Sequence, residues 1–262
     1  MRSSWPRLSI YVLAVALFGA ASANVPWLSP DQALRAVARD DADVAACLKK
    51  DPKALREGVS VKSISELRRL ALVEIQAPCV CGAQNCPFWV YRVDGTDARQ
   101  ALASFAIAVT TEPRGSGWPD VIATAHSSAL ITAGTRYAGQ DGKYVPIASW
   151  RVRNDTNARK SDIPVRFVPG VSSAKLAGTI SLDWGDVYTF VAQAGQQLTI
   201  TGATPSGLAL FLTQNADDGA ASVTVVSGKS LALPVSGSYR LSVDPPPAAT
   251  GNVRYALIFS IR

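Results

Sequence analysis

The run Ala174-Lys-Leu-Ala-Gly-Thr-Ile-Ser-Leu-Asp-Trp-Gly-Asp-Val-Tyr-Thr-Phe-Val-Ala-Gln-Ala-Gly-Gln-Gln-Leu198, followed further on by Pro234-Val-Ser-Gly-Ser-Tyr-Arg-Leu-Ser-Val243, decides the fold. Tyr188, Phe190 and Ala192 fall on one side of an extended chain, as do Tyr239, Leu241 and Val243. A period of two marks a strand with one buried face. Leu198 with Ile200, and Tyr255 with Leu257, Phe259 and Ile261, repeat the pattern, and all these side chains are the expected core. Strands are read at 165–168, 175–182, 187–193, 197–201, 208–214, 222–226, 230–235, 239–243 and 253–261, with Gly185, Gly195, Gly207 and Gly237 at the reversals. No helical period interrupts them. Short strands at this spacing predict an all-β antiparallel sandwich over 164–262.

Upstream the character changes. Residues 151–163 (RVRNDTNARKSDI) are charged and turn-forming, and read as a linker. Residues 24–150 read as a separate α+β domain. There Ser29-Pro-Asp-Gln32 is a capping box with proline at the first helical position, which starts a helix running to about residue 39. A second helical piece spans 42–50 and stops before Pro52. Strands follow at 59–64, 70–75, 88–93, 102–110 and 121–125, and a hairpin over 136–146 turns at Asp141-Gly142, a pair that accepts positive φ.

The N-terminus sets the expected compartment. Arg2 and Arg7 precede an apolar stretch over 8–21 that ends in Ala21-Ser22-Ala23, a small-x-small cleavage signal, so 1–23 reads as a signal peptide removed on export to the periplasm or beyond. The stretch is too short to span a membrane, and no later one is longer. The whole-chain charge of +6 falls to +4 without Arg2 and Arg7, and no block of like charge suits a nucleic acid. In an exported chain Cys47, Cys79, Cys81 and Cys86 read as two disulfides. A ring joining Cys79 to Cys81 is too tight, so Cys47 pairs with Cys79 or Cys81 and the other of these with Cys86; Cys81 with Cys86 is preferred. Zinc is disfavoured by the ligand spacing.

Little in the chain suggests catalysis. The single histidine, His126, stands at a strand end, and no Gly-x-Ser-x-Gly elbow presents a serine to it, so a structural role is expected. Gly228-Lys229-Ser230 resembles the end of a phosphate loop, but the earlier glycine would fall on Val223, and the tripeptide reads as a hairpin turn. Asp183 with Asp186, and Asp217 with Asp218, are turn carboxylates, and Asn215, Asp217 and Asp218 lack calcium-loop spacing. No cofactor and no metal is expected. The distinctive features are Trp184 at a turn between Asp183 and Gly185, and the rigid loop Asp244-Pro-Pro-Pro-Ala-Ala-Thr-Gly251. An exposed tryptophan anchors partners, and prolines lessen the entropy lost on docking; the other reading of Trp184 is a side chain folded back over the sandwich edge.

Val165-Arg-Phe, Gly170-Val-Ser-Ser-Ala-Lys-Leu-Ala-Gly-Thr-Ile, Asp186-Val-Tyr-Thr-Phe-Val-Ala-Gln-Ala-Gly-Gln and Leu233-Pro-Val-Ser-Gly-Ser-Tyr-Arg-Leu stand in an order that resembles the periplasmic inhibitors of g-type lysozyme. The resemblance covers about 164–262. It implies a non-enzymatic protein whose sandwich loops block the lysozyme cleft, with Asp183, Trp184, Asp186, Pro246 and Arg254 as the partner-binding residues. Where that family carries a tyrosine-rich acidic turn, this chain has Asp183-Trp184-Gly185-Asp186; where it carries arginines before the last strand, this chain has proline, alanine and glycine. The same motif positions are similar to the bacterial pre-peptidase C-terminal sandwiches, which implies as the alternative an envelope accessory module for glycan or an envelope protein. The segment Cys81-Gly-Ala-Gln-Asn-Cys-Pro-Phe-Trp-Val-Tyr-Arg92 resembles uncharacterised exported bacterial proteins and reads as a disulfide-stapled structural motif.

Overall fold

The structure, a computed structural model, describes residues 25–115, 117–182, 184–214 and 222–262. The expected signal peptide, Asp183, Asn215, Asp217 and Asp218 lie outside these residues. The described chain opens with α1 (Pro30–Asp40), α2 (Ala42–Lys50) and α3 (Pro52–Gly58). The capping box forms as read: Ser29 Oγ accepts from the Gln32 amide at 3.3 Å, and Gln32 Oε1 accepts from the Ser29 amide at 2.8 Å. Pro52 does end α2, but it also takes the first position of α3, with the Asp51 side chain accepting from the Ala54 amide. A breaker behind an Asx cap is also a starter, which is how the third helix escaped the sequence reading.

Two antiparallel meanders follow. β1 (Val59–Ser65), β2 (Leu70–Ile75), β3 (Cys86–Asp94) and β4 (Asp97–Ala106) form the first; β5 (Ala108–Glu112), β6 (Asp120–His126), β7 (Ile131–Gln140), β8 (Lys143–Arg153) and β9 (Arg159–Ser161) form the second. The strand read at 102–110 is two strands, divided at Ile107, that join different sheets. Trp89 and Tyr91 of β3 pack with Leu34, Val37 and Leu55 of the helices. Phe88 and Val90 turn the other way, onto Val121, Tyr137 and Tyr144 of the second sheet. β3 is therefore buried on both faces between the helices and the second sheet, and its continuous apolar run is the sequence signature of that position. The turn joining β7 to β8 has Asp141 at φ 50° and Gly142 at φ 81°, as its sequence asked.

Residues 151–163 are mostly extended: the end of β8, all of β9, and Ile163, which opens β10 (Ile163–Pro164). β10 runs parallel to β12 and carries the chain into the sandwich. The remaining strands are β11 (Ser173–Ile180), β12 (Asp186–Ala192), β13 (Gln197–Thr204), β14 (Ala209–Gln214), β15 (Ser222–Thr224), β16 (Ser230–Ala232), β17 (Gly237–Asp244) and β18 (Val253–Ile261). They stack as β10-β12-β17-β14-β15 on β11-β18-β13-β16. The expected strand at 165–168 does not form. Val165 gives its amide to Thr189 O, and the chain then leaves the sheet so that Phe167 packs on Phe259, with ring centres 5.9 Å apart. The turn at Gly228 joins β15 to β16, which belong to opposite sheets, so it is a crossover and not the expected hairpin.

Every residue expected in the sandwich core is buried there. Phe190 stacks on Tyr239 at 5.5 Å and meets Phe259 edge-on at 4.8 Å, while the Tyr239 hydroxyl donates to Val235 O. Phe259 is fully buried, and its ring meets those of Phe167 and Phe190. Phe259→Ala is expected to lower unfolding stability by about 3–5 kcal/mol in a urea titration; a loss below about 1 kcal/mol would show that these rings do not organise the core.

Candidate functional site

The turn between β11 and β12 is built on a reciprocal backbone pair: Trp184 donates to Ser181 O at 2.9 Å, and Ser181 donates back to Trp184 O at 3.4 Å. Gly185 follows because a Cβ there would overlap Asp244 Oδ1 and Val243 O at the end of β17. Opposite that strand end, two cations of the N-terminal part hold the turn. Arg151 Nη2 donates to Gly185 O at 2.7 Å, and its guanidinium lies 5.6 Å from the centre of the Trp184 ring. Lys160 Nζ donates to Asp186 Oδ1 at 2.6 Å, to Thr179 O at 3.2 Å and to Trp184 O at 3.3 Å.

Arg151 and Lys160 face each other directly in the β8–β9 register. Like charges in that relation repel. Here both side chains reach across to acceptors on the sandwich, and those acceptors make the pairing favourable. Asp186, 7% exposed, also accepts from the Tyr255 hydroxyl at 2.8 Å. Tyr255 is in turn bonded to the Tyr188 hydroxyl, which reaches Ala177 O at 3.4 Å. Burial raises the pKa of Tyr255, and its bonds to Tyr188 and Asp186 raise it further. Burial also lowers the pKa of Arg151, against the opposing pull of Asp162, and raises that of Asp244.

A second charge contact lies beside the first. Arg240 Nη2 of β17 is 2.9 Å from Asp162 Oδ2, yet neither Asp162 oxygen has a hydrogen-bond partner, and the buried Arg151 Nε lacks one as well. Burial accordingly raises the Asp162 pKa despite Arg240 and Arg151.

Of the residues singled out in the sequence, the structure brings Trp184 and Asp186 together on one turn. Trp184 is half-buried, and Asp186 is an internal anchor. Arg254 is exposed on β18 and pairs with Thr179, whose carbonyl Lys160 also binds. Pro246 is half-buried and accepts from the Ala249 amide at 2.9 Å, closing the loop that leaves β17 beside Gly185. Cys47 is bonded to Cys79 and Cys81 to Cys86, a pairing within the set expected. Asn85, inside the smaller ring, clasps the His126 backbone, donating to its carbonyl at 3.1 Å and accepting from its amide at 2.9 Å. The ring of His126 has a buried Nδ1 without a partner.

Arg151, Lys160 and Tyr255 were not among the candidates. The available signal was the alternation of Arg151 and Arg153 on a strand, which composition alone disguises as a linker. Among the described residues no three metal-ligating side chains gather, and no helix is long and apolar enough to cross a membrane.

Fold and turn together define a β-sandwich that presents one fixed aromatic turn and is docked on an α+β unit. Among solved structures the chain is similar to periplasmic inhibitors of g-type lysozyme. The Salmonella Typhimurium PliG is 24% identical, over 38% of this chain and 97% of that one, with a TM-score of 0.34. A mutant of the Escherichia coli PliG is 27% identical over 38% and 97%, at 0.33, and the Aeromonas hydrophila PliG 30% identical over 38% and 96%, at 0.34. No protein-family profile and no curated protein matches the chain.

Lys160→Met keeps the aliphatic stem and removes the cation, leaving Asp186 with Tyr255 alone. The expected loss is about 1–3 kcal/mol in chemical denaturation, the cost of a buried acceptor stripped of a donor; an unchanged midpoint would show that the turn does not need the clamp. Asp162→Asn tests the second contact through pH. The raised Asp162 pKa makes its ionised form unfavourable in the fold, so its contribution is best below the unfolded value near 3.8 and worsens as pH rises through the folded one. Relative to wild type, the variant should therefore gain melting temperature between pH 4 and pH 7; the opposite slope would show that Arg240 outweighs burial.

Proposed function

We propose that the chain is an exported, non-enzymatic binding protein that inhibits a g-type lysozyme through the loops of its C-terminal sandwich. The observation that carries this reading is the turn closed between Ser181 and Trp184, an aromatic side chain on a backbone anchored again at Gly185 and Asp186. It stands where the motif resemblance puts the partner-binding turn. Anchoring on Arg151, Lys160 and the Gly185–Asp244 contact removes in advance the freedom such a loop would otherwise lose on docking.

In this reading Asp183, Trp184, Pro246 and Arg254 form the contact surface, and Asp186 supports it from within. Inhibition is by occupancy: the turn fills the substrate cleft, no bond is made or broken, and wall substrate competes. Residues 24–150 and 164–262 act as two units, with 151–163 joining them while its strand β9 completes the second N-terminal sheet, and the leader is cut after Ala23 to release the protein into the periplasm or beyond.

Mixing the chain with a g-type lysozyme and following cell-wall lysis tests the proposal. Lysis should fall with inhibitor and recover as wall substrate is raised; undiminished lysis at large excess sinks it. Trp184→Ala should weaken binding by more than about 1 kcal/mol, the scale of an anchoring residue; unchanged affinity would remove Trp184 from the contact surface.

A further inference from the structure

A cleft of about 340 Å³ opens between α1 and the hairpin joining β3 to β4, remote in sequence from the turn just described. That volume lies within the range of small-molecule sites, roughly 300–1,000 Å³. Trp27, Gln32, Arg35 and Arg39 line it from the helix side, and Gly95 and Thr96 from the hairpin.

Arg35 and Arg39 stand four residues apart, a spacing at which like charges weaken a helix. The carboxylates around them are committed elsewhere. Asp40 takes Arg39 Nε at 2.8 Å and Nη2 at 2.9 Å, Asp94 pairs with Arg92 at 2.9 Å, and Asp97 pairs with Arg99 at 2.9 Å. Asp31, four residues before Arg35 and its natural helical partner, lies against Arg56 at 3.7 Å. Arg35 is left exposed and, among the described residues, makes no ion pair of its own while its acidic neighbours face other cations, so the mouth of the cleft carries an excess positive charge.

Arg39 is fixed from below. The Tyr91 hydroxyl, rooted in the core, donates to Asp40 Oδ2 at 3.1 Å, and Arg39 Nη2 also donates to Ala98 O at 2.6 Å. These bonds use Nε and Nη2 and leave Nη1 uncommitted. Trp27 packs partly on the core of the helical layer, so its indole is held as a wall of the cleft.

We propose that this cleft binds a saccharide carrying one carboxylate, with the Arg35 guanidinium and Arg39 Nη1 taking the carboxylate and the Trp27 ring lying along the sugar. Charge selects a monoanion, because one positive charge is left over. A planar guanidinium takes a carboxylate or a phosphate by paired N–H donors, and the single excess charge favours the carboxylate over a phosphate dianion. The aromatic wall selects a ligand with an apolar face. The site is independent of the lysozyme reading and stands or falls without it.

The test is titration of the chain, as its host exports it, with N-acetylmuramic acid, glucuronic acid and neutral N-acetylglucosamine, followed by NMR. An acidic sugar should shift the Trp27 indole and the amides of 93–98 in a saturable way, and the two acids show whether a wall sugar or a uronic acid is preferred. N-acetylglucosamine should bind at least about tenfold more weakly. Arg35→Gln should weaken the acidic sugar about ten- to hundredfold, the loss of a charge-assisted hydrogen bond, and Arg35→Lys should retain part of it, with the melting temperature of neither lowered because the side chain is exposed. No saturable shift with either acid, equal binding of the neutral sugar, shifts elsewhere on the chain, or an Arg35→Gln affinity equal to wild type each overturns the proposal.

Discussion

A carboxylate with only 7% of its surface in water must be given donors, and Asp186 draws them from both halves of the chain. Lys160 comes from the second N-terminal sheet and Tyr255 from the last strand of the sandwich. Between them they fix where β12 begins, and Gly178 on β11 has no side chain because a Cβ would overlap Asp186 Oδ2 and the Tyr255 ring. The same lysine ammonium reaches the carbonyls of Thr179 and Trp184. One buried charge thereby links the docking of two units to the shape of the turn above it and the residue allowed beneath it.

The sandwich was legible because its strands are amphipathic and each face repeats the same choice. Tyr188, Phe190, Tyr239, Leu257 and Phe259 could be placed in a core from alternation alone, and the burial agrees. The helices were legible where capping chemistry is local, at Ser29 and Gln32, and illegible where one residue serves two elements, at Pro52. The strand at 165–168 failed for a different reason. Its apolar residues are needed at the end of the sandwich, where Phe167 covers Phe259, and side-chain packing there outweighs pairing with the sheet.

The segment 151–163 shows most clearly what a single sequence conceals. Charge without large apolar residues looks the same whether the charges face water or face partners on another unit. Arg151, Lys160 and Asp162 do the latter, meeting Gly185, Asp186 and Arg240. Their partners lie between 26 and 78 positions away along the chain, beyond the reach of any local pattern. The acidic partner on the sandwich was visible as a turn aspartate, and its role as an internal anchor was not.

The clamp also bears on what the sandwich can do alone. Cut away from the N-terminal unit, it would keep Tyr188, Tyr255 and its aromatic core, but Asp186 would lose its cation and Gly185 O its donor. Two outcomes are physically open to such a fragment: the carboxylate turns outward to water, which carries Trp184 with it, or it stays inside and the fragment loses stability. In the first case the turn loses its conformation, and in the second it keeps that conformation at a cost in stability. The N-terminal unit is then a structural part of the candidate binding surface even though its own cleft lies elsewhere, because Arg151 and Lys160 set the backbone on which Trp184 is displayed.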